Sequence, residues 1–173
     1  MDKGHNCSSP QKGNINNVDN YRGTSLLNVL SKIFTYIVNR RLTTWAESNN
    51  VISDAQAGFR TQYSSVDHIS TLYACVAKYL NYGGKFYEAY IDFCKAFDSV
   101  QHTLLWSVLF RTGVQGKMLR TLKSMYRTVQ DCIRCGSENT EYFTCLQGLK
   151  QGCLVSPTLF SLFINELAHD IIS

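Results

Sequence analysis

At 173 residues the chain has room for one domain of ~150 residues, or for a portion of a larger one. Hydrophobic residues make up 45% and charged residues 17%, with two prolines, which excludes a disordered or collagen-like chain and supplies material for a core. The net charge of +4 says little by itself, but residues 111–134 hold six bases (Arg111, Lys117, Arg120, Lys123, Arg127, Arg134) against one acid, Asp131. A stripe of that kind suits a polyanion, or simply a solvated helix face.

The longest uncharged run, the fifteen residues between Lys150 and Glu166, includes Gln151, Ser156, Pro157 and Asn165. It falls short of the ~20 apolar residues of a membrane span. Residues 1–6 lack the apolar segment of a signal peptide. The expectation is an intracellular chain, cytoplasmic or nuclear, with no membrane partner. Seven cysteines, an odd number, then read as reduced thiols in apolar space rather than a disulfide framework.

In chain order, residues 1–19 are polar and aperiodic and read as a flexible lead-in, with the folded unit over 20–173. Leu26, Leu30, Ile33, Phe34, Ile37, Val38, Leu42 and Trp45 follow helical spacing up to Asn49-Asn50. Ser64-x-x-Asp67 resembles a capping box for a second helix with Ile69, Leu72, Tyr73, Val76 and Leu80 on one face, broken by Gly83-Gly84. Residues 86–93 are aromatic-rich and predict a strand. Asp98-x-x-Gln101 predicts the start of a helix that runs to Gly113, and residues 116–127 predict an amphipathic helix with its bases largely on one side. Residues 129–135 and 140–146 predict a hairpin around a four-residue turn, and Ser156-Pro157 opens a last helix with Leu159, Phe160, Phe163, Leu167 and Ile171 on its face. The order of elements is that of an α+β fold.

Three places could carry chemistry. Asp92 ends an apolar run, where a carboxylate either binds a cation or faces solvent at a strand end. Asp98 is better explained as a helix N-cap than as a ligand. Gly148-Leu149-Lys150-Gln151-Gly152 lets backbone approach a ligand closely, or is a tight turn feeding a helix. Cys132-x-x-Cys135 invites a zinc reading, but a strand puts the two side chains on opposite faces. The four histidines show no ligand spacing.

Taken together and in order, these stretches resemble the reverse transcriptase domain of a non-LTR (LINE-type) retrotransposon. Residues 20–27, Asn-Tyr-Arg-Gly-Thr-Ser-Leu-Leu, are similar to the family's Asn-Tyr-Arg-Pro-Ile-Ser-Leu start, with Gly23-Thr24 in place of Pro-Ile. Gln56-Ala57-Gly58-Phe59-Arg60 resembles the second fingers motif, and residues 91–100 the first palm motif. Lys150-Gln151-Gly152-Cys153 through Ser156-Pro157 and Leu159-Phe160 to Leu167 resembles the next, and the likeness covers about residues 12–173.

This resemblance implies a partial polymerase right hand, with helical fingers and an incomplete palm sheet. It implies Asp92 as a catalytic, Mg2+-binding carboxylate, with the Phe93 backbone beside it. Phe97 would be the bulky ring that excludes a 2′-hydroxyl, Gln151 a neighbour of the incoming nucleotide, and Arg22 and Arg60 contacts to the triphosphate. The partners implied are RNA template, DNA primer and deoxynucleoside triphosphates, with two Mg2+ ions ~3.5–4 Å apart. From charge alone, Lys117, Arg120, Lys123 and Arg127 are candidate contacts to nucleic-acid backbone. The family's aromatic-x-Asp-Asp motif does not occur before Ser173, so the expectation is a fragment that is inactive alone. A non-catalytic nucleic-acid-binding remnant is the alternative, and a fragment that does not fold is a third.

Overall fold

The computed structural model describes residues 3–10, 14, 16–17, 20–127, 129–135 and 138–172; for residues 3–10, 21–24, 135, 169 and 171–172 it describes the backbone alone. Five helices and a small mixed sheet alternate along the chain among these residues. The expected α+β class agrees with this. No helix among them is long and apolar enough to cross a membrane.

The first strand, β1 (Lys3–Pro10), lies where a loop is expected. It pairs antiparallel with β2 (Tyr21–Leu26) and parallel with β3 (Gln130–Cys135). A polar segment without alternation carries no strand signal of its own, and here main-chain pairing to two distant segments supplies the strand. Leu26 accordingly ends β2 and does not begin a helix.

Helix α1 (Val29–Ser48) begins three residues later, where the Asn28 side chain accepts from the Ser31 N–H at 2.7 Å. It stops at Asn49, and Asn50 takes φ +50°, which lets the Val51 N–H return to the Ala46 carbonyl. Its buried stripe is Thr35, Val38, Leu42 and Ala46. The expected apolar face is only partly the inner one, since Leu30, Ile33, Phe34 and Ile37 are all at least 45% exposed.

Helix α2 (Ser65–Asn81) is capped by Ser64, whose hydroxyl accepts from Val66 N–H while its carbonyl accepts from Asp67 N–H. None of its residues is buried: of its expected apolar face Ile69, Tyr73 and Leu80 are exposed and Leu72 and Val76 half-buried. Gly83, at φ +69°, breaks the chain direction as anticipated. The strand expected over residues 86–93 does not form: those residues are irregular. Aromatic β propensity needs a neighbouring strand to satisfy the ladder, and no described strand runs beside this one.

Helices α3 (His102–Arg111) and α4 (Gly116–Tyr126) pack with α5 (Ser156–Ile172) around the core. Leu105, Leu109, Leu122, Leu159, Leu162 and Val155 are completely buried there. Each such side chain contributes about 1.5–3 kcal/mol relative to exposure. Asp98 does not cap α3: the cap position is Gln101, and the Asp98 N–H bonds to the Lys95 carbonyl inside a preceding turn. In the hairpin, β4 (Glu138–Asn139) and β5 (Phe143–Thr144) both pair with β3. Glu138 and Asn139, expected in the turn, are paired residues instead; positions 136–137 lie outside the described residues. The register advances by one residue between β4 and β5, and Thr140 spans that bulge by bonding Ile133 through both its N–H and its hydroxyl.

Helix α5 is buried on polar as well as apolar sides. Asn165 Oδ1 accepts from Ser53 N–H at 2.8 Å and Asn165 Nδ2 donates to the Val51 carbonyl at 2.8 Å. Thr158 donates to Asn39 on α1 at 2.7 Å. These bonds hold the loop after α1 against α5. Asn165→Ala leaves two backbone groups without that partner and is expected to lower unfolding free energy by about 2–4 kcal/mol in urea titration. Leu146→Ala, at an 82% exposed residue, is expected to stay within about 0.5 kcal/mol of the parent chain.

Candidate nucleotide and nucleic-acid site

Three segments distant in sequence meet at the Gly148–Gly152 loop. The Leu149 N–H donates to the Phe97 carbonyl and the Gly148 N–H to the Val100 carbonyl, both at 2.8 Å. On the other side the Ser25 N–H donates to the Gln151 carbonyl at 2.7 Å. His102 Nε2 lies 2.8 Å from the Gly148 carbonyl, the N–H donating. Gly148 has φ +89°, and a Cβ there would meet the Asp98 carbonyl oxygen at 3.1 Å and its Cα at 3.2 Å. The glycine therefore answers both a left-handed backbone and a close backbone approach.

Behind this loop is a cavity of about 150 Å³ with Ser25, Asp98, His102, Asp131, Cys145 and Gln151 in its wall. Asp131 is buried, and the Cys145 thiol donates to its Oδ2 at 3.2 Å. Burial, reinforced by that hydrogen bond, pushes the Cys145 thiol up to about 11, so it stays protonated as a donor. Tyr126 closes the wall; burial pushes its hydroxyl well above the usual range, and it lies 3.2 Å from Ser156 Oγ. Asp131 and Tyr126 are not singled out from sequence as site residues, and Cys145 enters there only as a downstream companion of Cys132-x-x-Cys135 in the zinc reading.

The residues expected at a nucleotide site are distributed as follows. The Phe97 ring stacks on Phe160 with centroids 5.0 Å apart, Phe93 meets Phe160 edge-on at 6.5 Å, and Phe59 meets Phe97 edge-on at 6.3 Å. Gln151 is half-buried beside this group through its loop, and Asp92 is exposed. The structure thus brings the Phe93–Phe97 and Gly148–Gln151 segments together. The Arg22 side chain lies outside the described residues.

Arg60 is committed within the protein. Its Nε and Nη2 pair with both carboxylate oxygens of Glu47 at 3.0 and 2.8 Å, and its Nη1 donates to the Ser53 and Gln56 carbonyls. Its guanidinium also covers the Tyr63 ring at 3.7 Å. Among the described residues, no three His, Cys, Asp or Glu side chains stand close enough together to hold a metal ion. Asp92 and its neighbours therefore do not make up a two-ion site by themselves.

Lys117, Arg120, Lys123 and Arg127 are exposed along α4 and its C-cap. None of them makes an ion pair among the described residues, where Arg60 and Arg111 do.

Two outcomes follow from this geometry. Gly148→Ala is expected to destabilise the chain by about 1–3 kcal/mol, with faster hydrogen exchange at the Leu149 amide as the local signature. The hydrogen bond from Arg60 holds the Glu47 carboxyl below its usual 4.5. A depressed carboxylate stabilises the fold above its unfolded value and loses that contribution as pH falls through the lower folded one. The melting-temperature gap between the parent chain and Glu47→Gln is therefore expected to narrow as pH drops below 4.5.

The family model for reverse transcriptase (RNA-dependent DNA polymerase) matches residues 10–173. The chain is 26% identical over 156 residues to the RNA-directed DNA polymerase from mobile element jockey of Drosophila funebris, covering 88% of this chain and 16% of that protein. It is 28% identical over 152 residues to the probable RNA-directed DNA polymerase from transposon BS of Drosophila melanogaster, covering 86% and 16%. It is 25% identical over 163 residues to the Pol polyprotein from type-1 retrotransposable element R2 of Popillia japonica, covering 91% and 22%. The chain thus spans between about a sixth and a fifth of the length of these relatives. With nearly every residue inside the match, the loop clamp, the phenylalanine cluster and Asp92 are parts of a chain that belongs to the reverse transcriptase (RNA-dependent DNA polymerase) family.

Proposed function

We propose that residues 20–173 form the fingers and part of the palm of a retrotransposon reverse transcriptase, and contribute one side of its nucleotidyl-transfer site. The observation that carries this reading is the backbone clamp that ties Phe97 and Val100 to Gly148 and Leu149. Two motifs separated by some fifty residues would otherwise have no reason to share one edge. Phe97 would then test the sugar of the incoming deoxynucleotide, and Gln151 would lie beside it. The ring of Phe97 is held by Phe160 and Phe59, which gives such a steric test a fixed wall.

Reverse transcriptases generally use divalent metal ions, and Asp92 is the proposed Mg2+ ligand of this segment, together with the Phe93 backbone. Asp92 would share such an ion with further carboxylates, since no three His, Cys, Asp or Glu side chains among the described residues stand together to hold one. The proposed partners are RNA template, DNA primer and deoxynucleoside triphosphates. Arg22 remains a proposed triphosphate contact. Arg60 would reach a triphosphate only by giving up its bonds to Glu47 and the two carbonyls, and it serves first as the pin of the loop after α1. The four unpaired bases of α4 support a contact to nucleic-acid backbone and favour a binding role for the chain even where chemistry is lacking.

A chimera in which this segment replaces the matching part of a jockey-type polymerase tests the reading by primer extension on RNA. Asp92→Asn is expected to lower extension by at least ~100-fold, and Phe97→Ala to admit ribonucleotides at the expense of deoxynucleotides. Extension that survives Asp92→Asn within a few-fold, or extension by the isolated chain, would overturn the assignment of a partial site.

A further inference from the structure

One face of the molecule combines features that the nucleotide site does not use. Arg120, Lys123 and Arg127, at helical spacings of three and four, run about 10 Å along one side of α4 and its cap. They border a groove of about 580 Å³ whose floor includes the half-buried Trp106 and whose far rim is Leu146, itself 82% exposed. Trp106 is braced on its inner side by Tyr126, with centroids 5.8 Å apart, and by His102 at 6.0 Å. Of the three acids between residues 102 and 146, Asp131 is buried and engaged with Cys145, and Glu138 and Glu141 are not in the lining of the groove.

We propose that this groove binds single-stranded nucleic acid, with phosphates against Arg120, Lys123 and Arg127 and one unstacked base against Trp106. The proposal rests on the reading of α4 as a nucleic-acid contact, and narrows it to a ligand class and a stacking residue. A polyanion is the partner whose charge matches three unpaired cations in a row. A braced indole beside them selects a strand whose bases are free, since every base offers a stacking face only when it is out of a duplex. The groove adjoins the cavity behind Gly148: His102, which bonds the Gly148 carbonyl, lines both. A bound strand would therefore lie across His102 from the Gly148–Gln151 loop.

A rival surface exists on α1, where Arg40 and Arg41 flank Tyr36 and Trp45. It has two cations in place of three, and it serves as the internal control.

The test uses the 173-residue chain with Trp45→Phe, which leaves Trp106 as the single indole of the two in the sequence. Short oligo(U) is expected to quench its emission, and a blunt duplex of equal length to bind at least ~10-fold more weakly. Arg120→Gln with Lys123→Gln is expected to weaken binding and to reduce the slope of log affinity against log salt by roughly 1.4, two contacts at about 0.7 each. Arg40→Gln with Arg41→Gln makes the same change in net charge and is expected to leave both nearly unchanged. Trp106→Leu is expected to lose ~10-fold in affinity with the salt slope retained.

Loss of the slope in the Arg120/Lys123 pair with no quenching and no effect of Trp106→Leu would overturn the stacking site while leaving α4 as a backbone contact. Equal losses in the two arginine-containing pairs, or equal affinity for duplex, would overturn the groove altogether. Anisotropy of labelled oligo(U) with the unsubstituted chain reads the same comparison without the Trp45 or Trp106 changes.

Discussion

The close approach of Gly148 to the backbone of Asp98 is the constraint from which much of the structure follows. A Cβ there would lie 3.1 Å from a carbonyl oxygen, a crowded contact, on a backbone at φ +89° that strains any side chain. That approach allows the Gly148 and Leu149 amides to find the carbonyls of Val100 and Phe97, and so joins the turn before α3 to the loop before α5. Both segments are irregular, and without these bonds their backbone groups would need water or another partner. The aromatic cluster of Phe93, Phe97 and Phe160 then follows from geometry, since the clamp fixes Phe97 over the first turns of α5. His102, in the first turn of α3, tightens the arrangement by bonding to the Gly148 carbonyl.

Helix α5 is the second organising element, and its polar residues matter as much as its leucines. Leu159 and Leu162 fill the core, but hydrophobic burial is not directional. Asn165, Thr158 and Ser161 supply direction: each bonds particular groups on α1 or the loop after it. The same loop is pinned by the buried fork of Arg60, which satisfies Glu47 and two carbonyls at once. Helix α1 is thereby tied to the part of the chain that carries the candidate site. The apolar stripe of α1 from Leu30 to Ile37 and the apolar face of α2 take no part in this, and stay exposed.

Charge is partitioned in a comparable way. Arg60 pairs with Glu47 and the Cys145 thiol with Asp131 away from solvent, whereas the bases of α4 are left facing solvent without anionic partners among the described residues. Ion pairs at a surface add little stability, so leaving these bases unpaired costs the fold almost nothing. It leaves a local positive field beside a braced tryptophan. That is a property of arrangement, because the overall charge of +4 would not single this face out.

Much was legible in the sequence wherever the cause is local. Asn49-Asn50, Ser64, Gly83-Gly84 and Ser156-Pro157 mark helix ends because capping and left-handed turns depend on a few adjacent residues. The motifs around Asp92 and Gln151, read in order, were enough to place the chain in its family, since spacing along the chain survives without any knowledge of contacts. Tertiary structure decided what depends on partners remote in sequence. Residues 3–10 are a strand because β2 and β3 offer hydrogen bonds, and residues 86–93, better strand formers by composition, are not one because no described strand lies beside them. Asp98 serves the clamp through its backbone and does not cap α3, and Arg60 is drawn into the interior by Glu47. Local preference proposes a conformation or a role; the distant groups available to satisfy hydrogen bonds and charge determine whether it is taken.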